Sequence, residues 1–402
     1  MIDHAKIKAM AGNYLEKIRQ VRRHLHQYPE LSFREVNTSA FISRQLTEAG
    51  IEVRQGLAGT GLLALIKGKN PGRKTILLRA DMDALPIDEQ NDVPYRSAVP
   101  GVMHACGHDV HSACVLGAAL ILNDLRGEWE GTVKVMFQPG EEVLPGGASL
   151  MIRDGVLENP AVDQAIALHV FPSMETGKVG FRSGMYMAST DELYLTVKGK
   201  GGHAAMPADY INPLIVASDI LLTLHERFTD AASLRELGGE NIPTVVAFGN
   251  IEGKGATNVI PDKVEISGTF RTMNEAWRGK VHGELSRLAQ SVAARYQAVA
   301  ELRIEKGYPF LVNDGDLTDS CAATAREYLG EDQVEELPLR MTAEDFAFIS
   351  QQVPSCFFRL GTGNKARGIT SGVHTATFDI DERALELGMG LLAGLTLKAL
   401  SA

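Results

Sequence analysis

The feature that most constrains this chain is a change of hydrophobic period partway along it. Up to residue 187, continuous apolar runs at 61–66, 75–80, 131–137 and 164–170 alternate with stretches of helical period. Leu15, Ile18, Val21 and Leu25 share one helical face until Pro29; Ile42, Leu46 and Ala49 do so until Gly50; residues 113–122 read as a buried helix. Strands without polar alternation are covered on both faces, so this part predicts an α/β layer with a mixed, mainly parallel sheet. Residues 193–197 and 264–270 instead alternate apolar and polar, as strands with one wet face do, and helical stretches at 213–227 and 281–296 accompany them. The α/β character returns after residue 305 and ends in an apolar helix near 384–400. The expected architecture is a discontinuous larger domain, residues 1–187 and 305–402, with a smaller α+β domain inserted at 188–304. A chain of 402 residues is long enough for both. The acidic run 331–336 reads as a solvated surface turn.

Composition excludes several classes of partner. Forty Lys and Arg against fifty Asp and Glu leave a net charge of −10, with no basic tract, which argues against nucleic acid and anionic membranes. The longest apolar run, 113–122, is too short to span a bilayer, and no secretory signal is read at the start. Four scattered cysteines do not make a disulfide framework. The expectation is a cytoplasmic protein with no membrane or nucleic-acid partner.

Polar residues of unusual chemistry follow three of the apolar runs. Asp81 and Asp83 follow the second, Glu141 and Glu142 the third, and His169 closes the fourth. Open α/β sheets build their sites at the carboxyl ends of strands, so these residues are expected to converge. Two adjacent carboxylates repel unless a cation or a proton compensates. The segment 104–111 is the densest cluster: Cys106 and His108 flank Gly107, a spacing that lets a thiolate and an imidazole face one point, and both bind Zn, Mn or related ions. With His374, the ligand-type residues are Cys106, His108, Glu142, His169 and His374. Five donors exceed what one catalytic zinc takes, so two divalent ions about 3.5–4 Å apart fit better, with the Cys106 sulfur as a bridge. Glu141 is then left over as general base: it takes a proton from metal-activated water and returns it to a leaving amine.

These segments, taken in order, resemble the M20 metallopeptidases, in the amidohydrolase branch that holds N-acyl-amino-acid, hippurate and auxin-conjugate hydrolases. The resemblance is carried by Arg22-Arg-His-Leu-His, Leu78-Arg-Ala-Asp-Met-Asp-Ala-Leu-Pro, His104-Ala-Cys-Gly-His-Asp, Gln138-Pro-Gly-Glu-Glu, Gly199-Lys-Gly-Gly-His, Thr257-Asn-Val-Ile-Pro-Asp, Gly268-Thr-Phe-Arg-Thr, Glu344-Asp-Phe and His374-Thr-Ala-Thr-Phe-Asp. It implies that the larger domain is catalytic and that the insert is a lid and dimerisation domain. It also implies that Cys106, His108, Glu142, His169 and His374 hold two divalent ions (Zn, Mn, Co or Ni) and that Glu141 is the base. Asp81 keeps the family's acid position, where it would orient a ligand, although Arg79 stands where many members have His. His203 would reach a neighbouring subunit's site and stabilise the oxyanion, which implies a homodimer. Asn258 and Arg271 would bind the substrate carboxylate. Ala208 and Asn212 depart from the branch's usual His and Asp, and Val373-His-Thr-Ala departs around the last ligand.

The expected reaction is hydrolysis of the amide bond of N-acyl-L-amino acids, and the alternative is a dipeptidase or carboxypeptidase acting on short peptides. Gly199-Lys-Gly-Gly lacks the dinucleotide pattern, and no Gly-x-Ser-x-Gly elbow occurs. Cys106 as a thiol nucleophile would leave the surplus of ligand-type residues without a purpose. A noncatalytic metal-binding scaffold would have no use for Glu141.

Overall fold

The structure is a computed structural model that describes residues 3–401. Met1, Ile2 and Ala402, which the expected domain ranges include, lie outside the described residues. Two compact units are present. The first comprises Met1–Tyr186, Val312–Leu339 and Asp345–Ala402, and the second comprises Met187–Leu311 with Arg340–Glu344. Periodicity placed the end of the insert at 304 and gave no sign of the returning segment 340–344. That segment pairs through its backbone, with Ala188 donating to the carbonyls of Arg340 and Thr342, and such pairing leaves no mark on side-chain period.

The first unit holds an eight-stranded mixed sheet. In spatial order its strands are Glu52–Leu57, Gly61–Lys67, Thr132–Gln138, Thr75–Asp81, Gln164–Glu175, Ser355–Gly363, Val179–Phe181 and Val334–Glu336. The central strands run parallel, and Thr75–Asp81, Thr132–Gln138 and Ser355–Gly363 are buried along their whole length. The last strand corrects the reading of 331–336 as a turn. Only Glu331–Gln333 is a turn of 3₁₀ helix, while Val334–Glu336 pairs parallel to Val179–Phe181 at the sheet edge. An edge strand needs only backbone partners, so its acidic side chains stay exposed.

The helix His108–Asp124 is buried for almost its whole length and packs with the helices His4–Gln27 and Arg383–Ser401. It begins five residues before the apolar run that announced it, because Gly107 in the left-handed region (φ 83°) turns the chain into its first residue. A Cβ on Gly107 would lie 2.6 Å from a Val170 methyl. Arg383–Ser401 is long and apolar enough to cross a membrane, but most of its length is buried inside the unit's core.

The second unit is a four-stranded antiparallel sheet, ordered Thr244–Glu252, Lys263–Thr272, Asp191–Lys198, Val299–Lys306. Leu193, Leu195 and Val197 face a core shared with the helices Pro213–Thr229 and Glu275–Arg295, while Tyr194 and Thr196 face away from it. Asn212 caps the first of these helices, its Oδ1 accepting the Leu214 amide at 3.0 Å. Asn and Asp cap about equally well, so this departure preserves the local structure.

Candidate active site

Register gathers the first residues. Strand Thr75–Asp81 pairs Asp81 with Gln138 on one side and Arg79 with Ala167 on the other, so Asp81, Gln138 and His169 stand at one level across three parallel strands. His169 lies within a twelve-residue strand rather than at its end, because that strand continues to Glu175. Past Gln138 the chain turns at Gly140 (φ 57°), where a Cβ would meet the Phe33 ring at 2.4 Å, and brings in Glu141 and Glu142. His374 is in the left-handed region (φ 62°), and its amide donates to the carbonyl of Ala105 at 2.7 Å, which binds its loop to that of Cys106.

Six of the expected residues therefore meet in the first unit. The donor atoms of Cys106, His108 and His169 lie within 4.8 Å of one another; so do those of Cys106, Glu142 and His374, and those of His108, Glu141 and Glu142. Cys106 Sγ is 3.5 Å from His169 Nε2 and 3.3 Å from His374 Nε2. His374 Nε2 is 3.2 Å from Glu142 Oε1. His108 Nε2 and Glu142 Oε1 are buried without a hydrogen-bond partner. A buried polar atom left so costs about 1–3 kcal/mol, and a thiol, three imidazoles and a carboxylate around such atoms suit borderline-soft divalent cations.

The free energy of charging these groups tells the same story. Burial pushes the Cys106 thiol up to about 12, so its thiolate needs a positive neighbour. Burial would lower His108, but the charges of Asp81 and Cys106 outweigh it and carry the imidazole well above its ordinary range. Burial, with Arg359 nearby, holds His169 well below that range. The Glu142 carboxylate, its Oε1 3.2 Å away, raises His374.

Asp83, to which the sequence reading gave no role, orients two of the donors. His108 Nδ1 lies 2.8 Å from the Asp83 carbonyl and 3.1 Å from Asp83 Oδ1, which leaves Nε2 facing the cluster. Asp83 Oδ2 accepts the Glu142 amide at 3.0 Å and the Ser32 hydroxyl at 2.7 Å. Glu35 holds the same loop from the other side, accepting the Gly140 amide at 2.8 Å. Behind the cluster, Asp109 is buried against Arg22 and His26, each at 2.8 Å, which puts the Arg22-Arg-His-Leu-His segment to use. The signal for Asp83 was its place two residues after Asp81.

Asp81 is fully buried between Arg79 Nη1 and His111 Nδ1, both at 2.6 Å. His203, Asn258 and Arg271 belong to the second unit. His203 pairs with Val259 across two short strands, the Ala204 amide donates to the Asn258 carbonyl at 3.0 Å, and the exposed His203 accepts the Ala205 amide at its Nδ1, 3.1 Å away. Arg271 is half-buried. Its Nη1 donates to the Met341 carbonyl at 3.1 Å, burial lowers its pKa, and among the described residues no carboxylate forms an ion pair with it. It lines an open concavity of about 530 Å³ with Thr190, Phe248, Asn250 and Thr269.

Residues 77–398 match the family described as peptidase family M20/M25/M40. The N-acetylcysteine deacetylase of Bacillus subtilis is 37% identical over 382 residues, covering 93% of this chain and 94% of that one. Thermostable carboxypeptidase 1 of Saccharolobus solfataricus is 36% identical over 386 residues, 95% of each chain. Among solved structures, the YXEP protein of Bacillus subtilis, titled a dinuclear metal-binding peptidase from the M20 family, superposes with a TM-score of 0.83 at 34% identity, covering 97% of this chain and 99% of that one.

Proposed function

Because the chain belongs to the M20/M25/M40 peptidase family and is therefore a hydrolase, we propose that it cleaves the amide bond of N-acyl-L-amino acids. In this reading Cys106, His108, Glu142, His169 and His374 hold two divalent cations and Glu141 is the general base. The observation that carries it is a pair of buried atoms without a hydrogen-bond partner, His108 Nε2 and Glu142 Oε1, one from each of two donor triads that share Cys106. Divalent cations bound there supply Lewis acidity that lowers the pKa of water.

The chain's own groups do the rest. Glu141 is buried, with a carboxylate oxygen within 4.8 Å of the His108 and Glu142 donors, a position suited to taking a proton from water and returning it to the departing amine. Asp81 is a positioning residue. Arg271 lines a concavity with a guanidinium that has no carboxylate mate among the described residues, and with Asn258 it receives the substrate's carboxylate. His203, exposed on its turn, donates to the developing oxyanion of a second copy, so the active species is a homodimer. The four cysteines are free, in keeping with a reducing cytoplasm.

A dipeptidase or carboxypeptidase is the second reading, favoured by the 36% identity to a thermostable carboxypeptidase. Protein loaded with Zn, Mn, Co or Ni, assayed on N-acetylcysteine, N-acetyl-leucine, N-benzoyl-glycine and Leu-Leu, separates the two. Preference for the acylated substrates is expected; faster turnover of Leu-Leu establishes the second reading instead.

A further inference from the structure

A chain of buried polar groups ends on the strand that carries His169, and the proposed reaction gives a role only to Asp81 within it. His111, in the first turn of helix His108–Asp124, is fully buried. Its Nδ1 is 2.6 Å from Asp81 Oδ1, and its Nε2 is 2.9 Å from the amide nitrogen of Val170. A backbone amide only donates, so Nε2 is the lone-pair atom and Nδ1 carries the hydrogen that Asp81 accepts. Both ring nitrogens are committed. His111 thus has no lone pair for a cation, although its donor atom lies within 4.8 Å of those of Asp81 and His108. His108, by contrast, has an orphaned Nε2.

The chain continues away from the site. Asp81 Oδ2 accepts Arg79 Nη1 at 2.6 Å. Arg79 Nη2 donates to Asp345 Oδ1 at 2.7 Å, and Arg79 Nε donates to Gln138 Oε1 at 2.9 Å. Gln138 Nε2 closes the ring on Asp345 Oδ1 and Oδ2 at 2.8 and 2.6 Å. The planar guanidinium fork reaches three acceptors at once, which a lysine ammonium does not reproduce, and it stays charged at every working pH. At the other end, His169 Nδ1 donates to the Val170 carbonyl at 2.8 Å. Residue 170 is therefore held twice, through its amide by His111 and through its carbonyl by the His169 ring, and that leaves His169 Nε2 3.5 Å from Cys106 Sγ.

We propose that Arg79, Asp81 and His111 form a positioning relay that fixes the direction of the His169 imidazole, and that His111 is not a ligand. The inference rests on the reading that Cys106, His108 and His169 share a cation. Buried hydrogen-bond partners of metal-ligating groups change affinity by about 10–100-fold when removed.

The test titrates cobalt(II) into the full chain and into His111→Asn, Arg79→Lys and the double variant, followed by calorimetry and by the visible absorption of the bound ion. Asparagine keeps an N–H for Asp81, but its Oδ1 stops short of the place where the imidazole Nε2 accepts the Val170 amide. The wild type is expected to take two ions, and each single variant to bind one as before and the other about 10–100-fold more weakly, with a shifted absorption band. The double variant should bind no more weakly than the worse single one, because all three residues act through one path. Two ions at wild-type affinity in both single variants overturns the relay. Complete loss of one ion in His111→Asn with none of that effect in Arg79→Lys also overturns it, by making His111 a ligand. A wild type that binds no cobalt removes the reading beneath it instead. Circular dichroism without cations establishes folding, and Asp345→Asn, at the same guanidinium, replaces Arg79→Lys if that variant does not fold.

Discussion

Two of the buried polar clusters among the described residues differ in how completely they close. In the second unit Asp191 accepts from Arg278 Nε at 2.9 Å, His282 Nε2 at 2.6 Å and the Gly307 amide at 3.1 Å, while Arg278 reaches the carbonyls of Thr190 and Gly307 and the carboxylate of Glu275. Its charges compensate one another within the chain. In the first unit the Cys106–His108–Glu142 cluster leaves two buried atoms without a hydrogen-bond partner and a thiol that burial keeps protonated. A closed cluster is a device for holding strands and helices in place. An open one is held in readiness for something the chain does not contain.

The contrast can be broken by experiment. Glu141→Gln should lower turnover about 10²–10⁴-fold while leaving cation stoichiometry intact; unchanged turnover removes Glu141 as base. Asp191→Asn, in the closed cluster, should destabilise the folded chain by about 3–5 kcal/mol, because it leaves the Arg278 guanidinium buried with less compensation. Denaturant unfolding measures this, and a loss under about 1 kcal/mol contradicts the closed-cluster view. Asp83→Asn should weaken cation binding about 10–100-fold by loosening both His108 and the Glu142 loop, read by calorimetry.

Acid offers a finer comparison. Burial would raise Asp191, but the hydrogen bonds from His282 and Arg278 outweigh it and bring it down to about 2. A carboxylate depressed in the folded state stabilises above its unfolded pKa, near 3.8, and the stabilisation is lost as pH falls from there through about 2. It is worth on the order of 2 kcal/mol, and the stability gap between wild type and Asp191→Asn should narrow by about that much over that window. The smallest effect belongs to the open cluster. Without cations, Glu142→Gln should change stability by less than about 1 kcal/mol, since all it gives up is the pairing of Oε1 with the half-exposed His374, 3.2 Å away. A larger loss means the cluster is closed after all.

Local pattern carried much of this in advance. The strands around 75–80, 131–137 and 164–170, the polar residues that follow them and the Cys-Gly-His turn are properties of a few neighbouring residues, and each was legible; the central strand Ser355–Gly363 was not singled out. The strand Glu52–Leu57 was not, since its mostly exposed side chains leave no apolar period. The helix start at His108 was missed because a left-handed glycine, not an apolar face, sets it. Asp83 and His111 stood in the segments that were read, yet residue type does not tell whether a carboxylate or an imidazole binds an ion, holds a ligand or closes a hydrogen-bond chain.

By itself, then, the sequence determined which chemical groups the site can draw on and that they follow parallel strands, because side-chain period and residue type are written locally. Only the tertiary structure decided which nitrogen of each imidazole is committed and which is left over: His111 spends both, while His108 spends Nδ1 on Asp83 and keeps Nε2. Those partners lie 25 to 59 residues away along the chain, and nothing short of the packed sheet and helix fixes distances across such a separation.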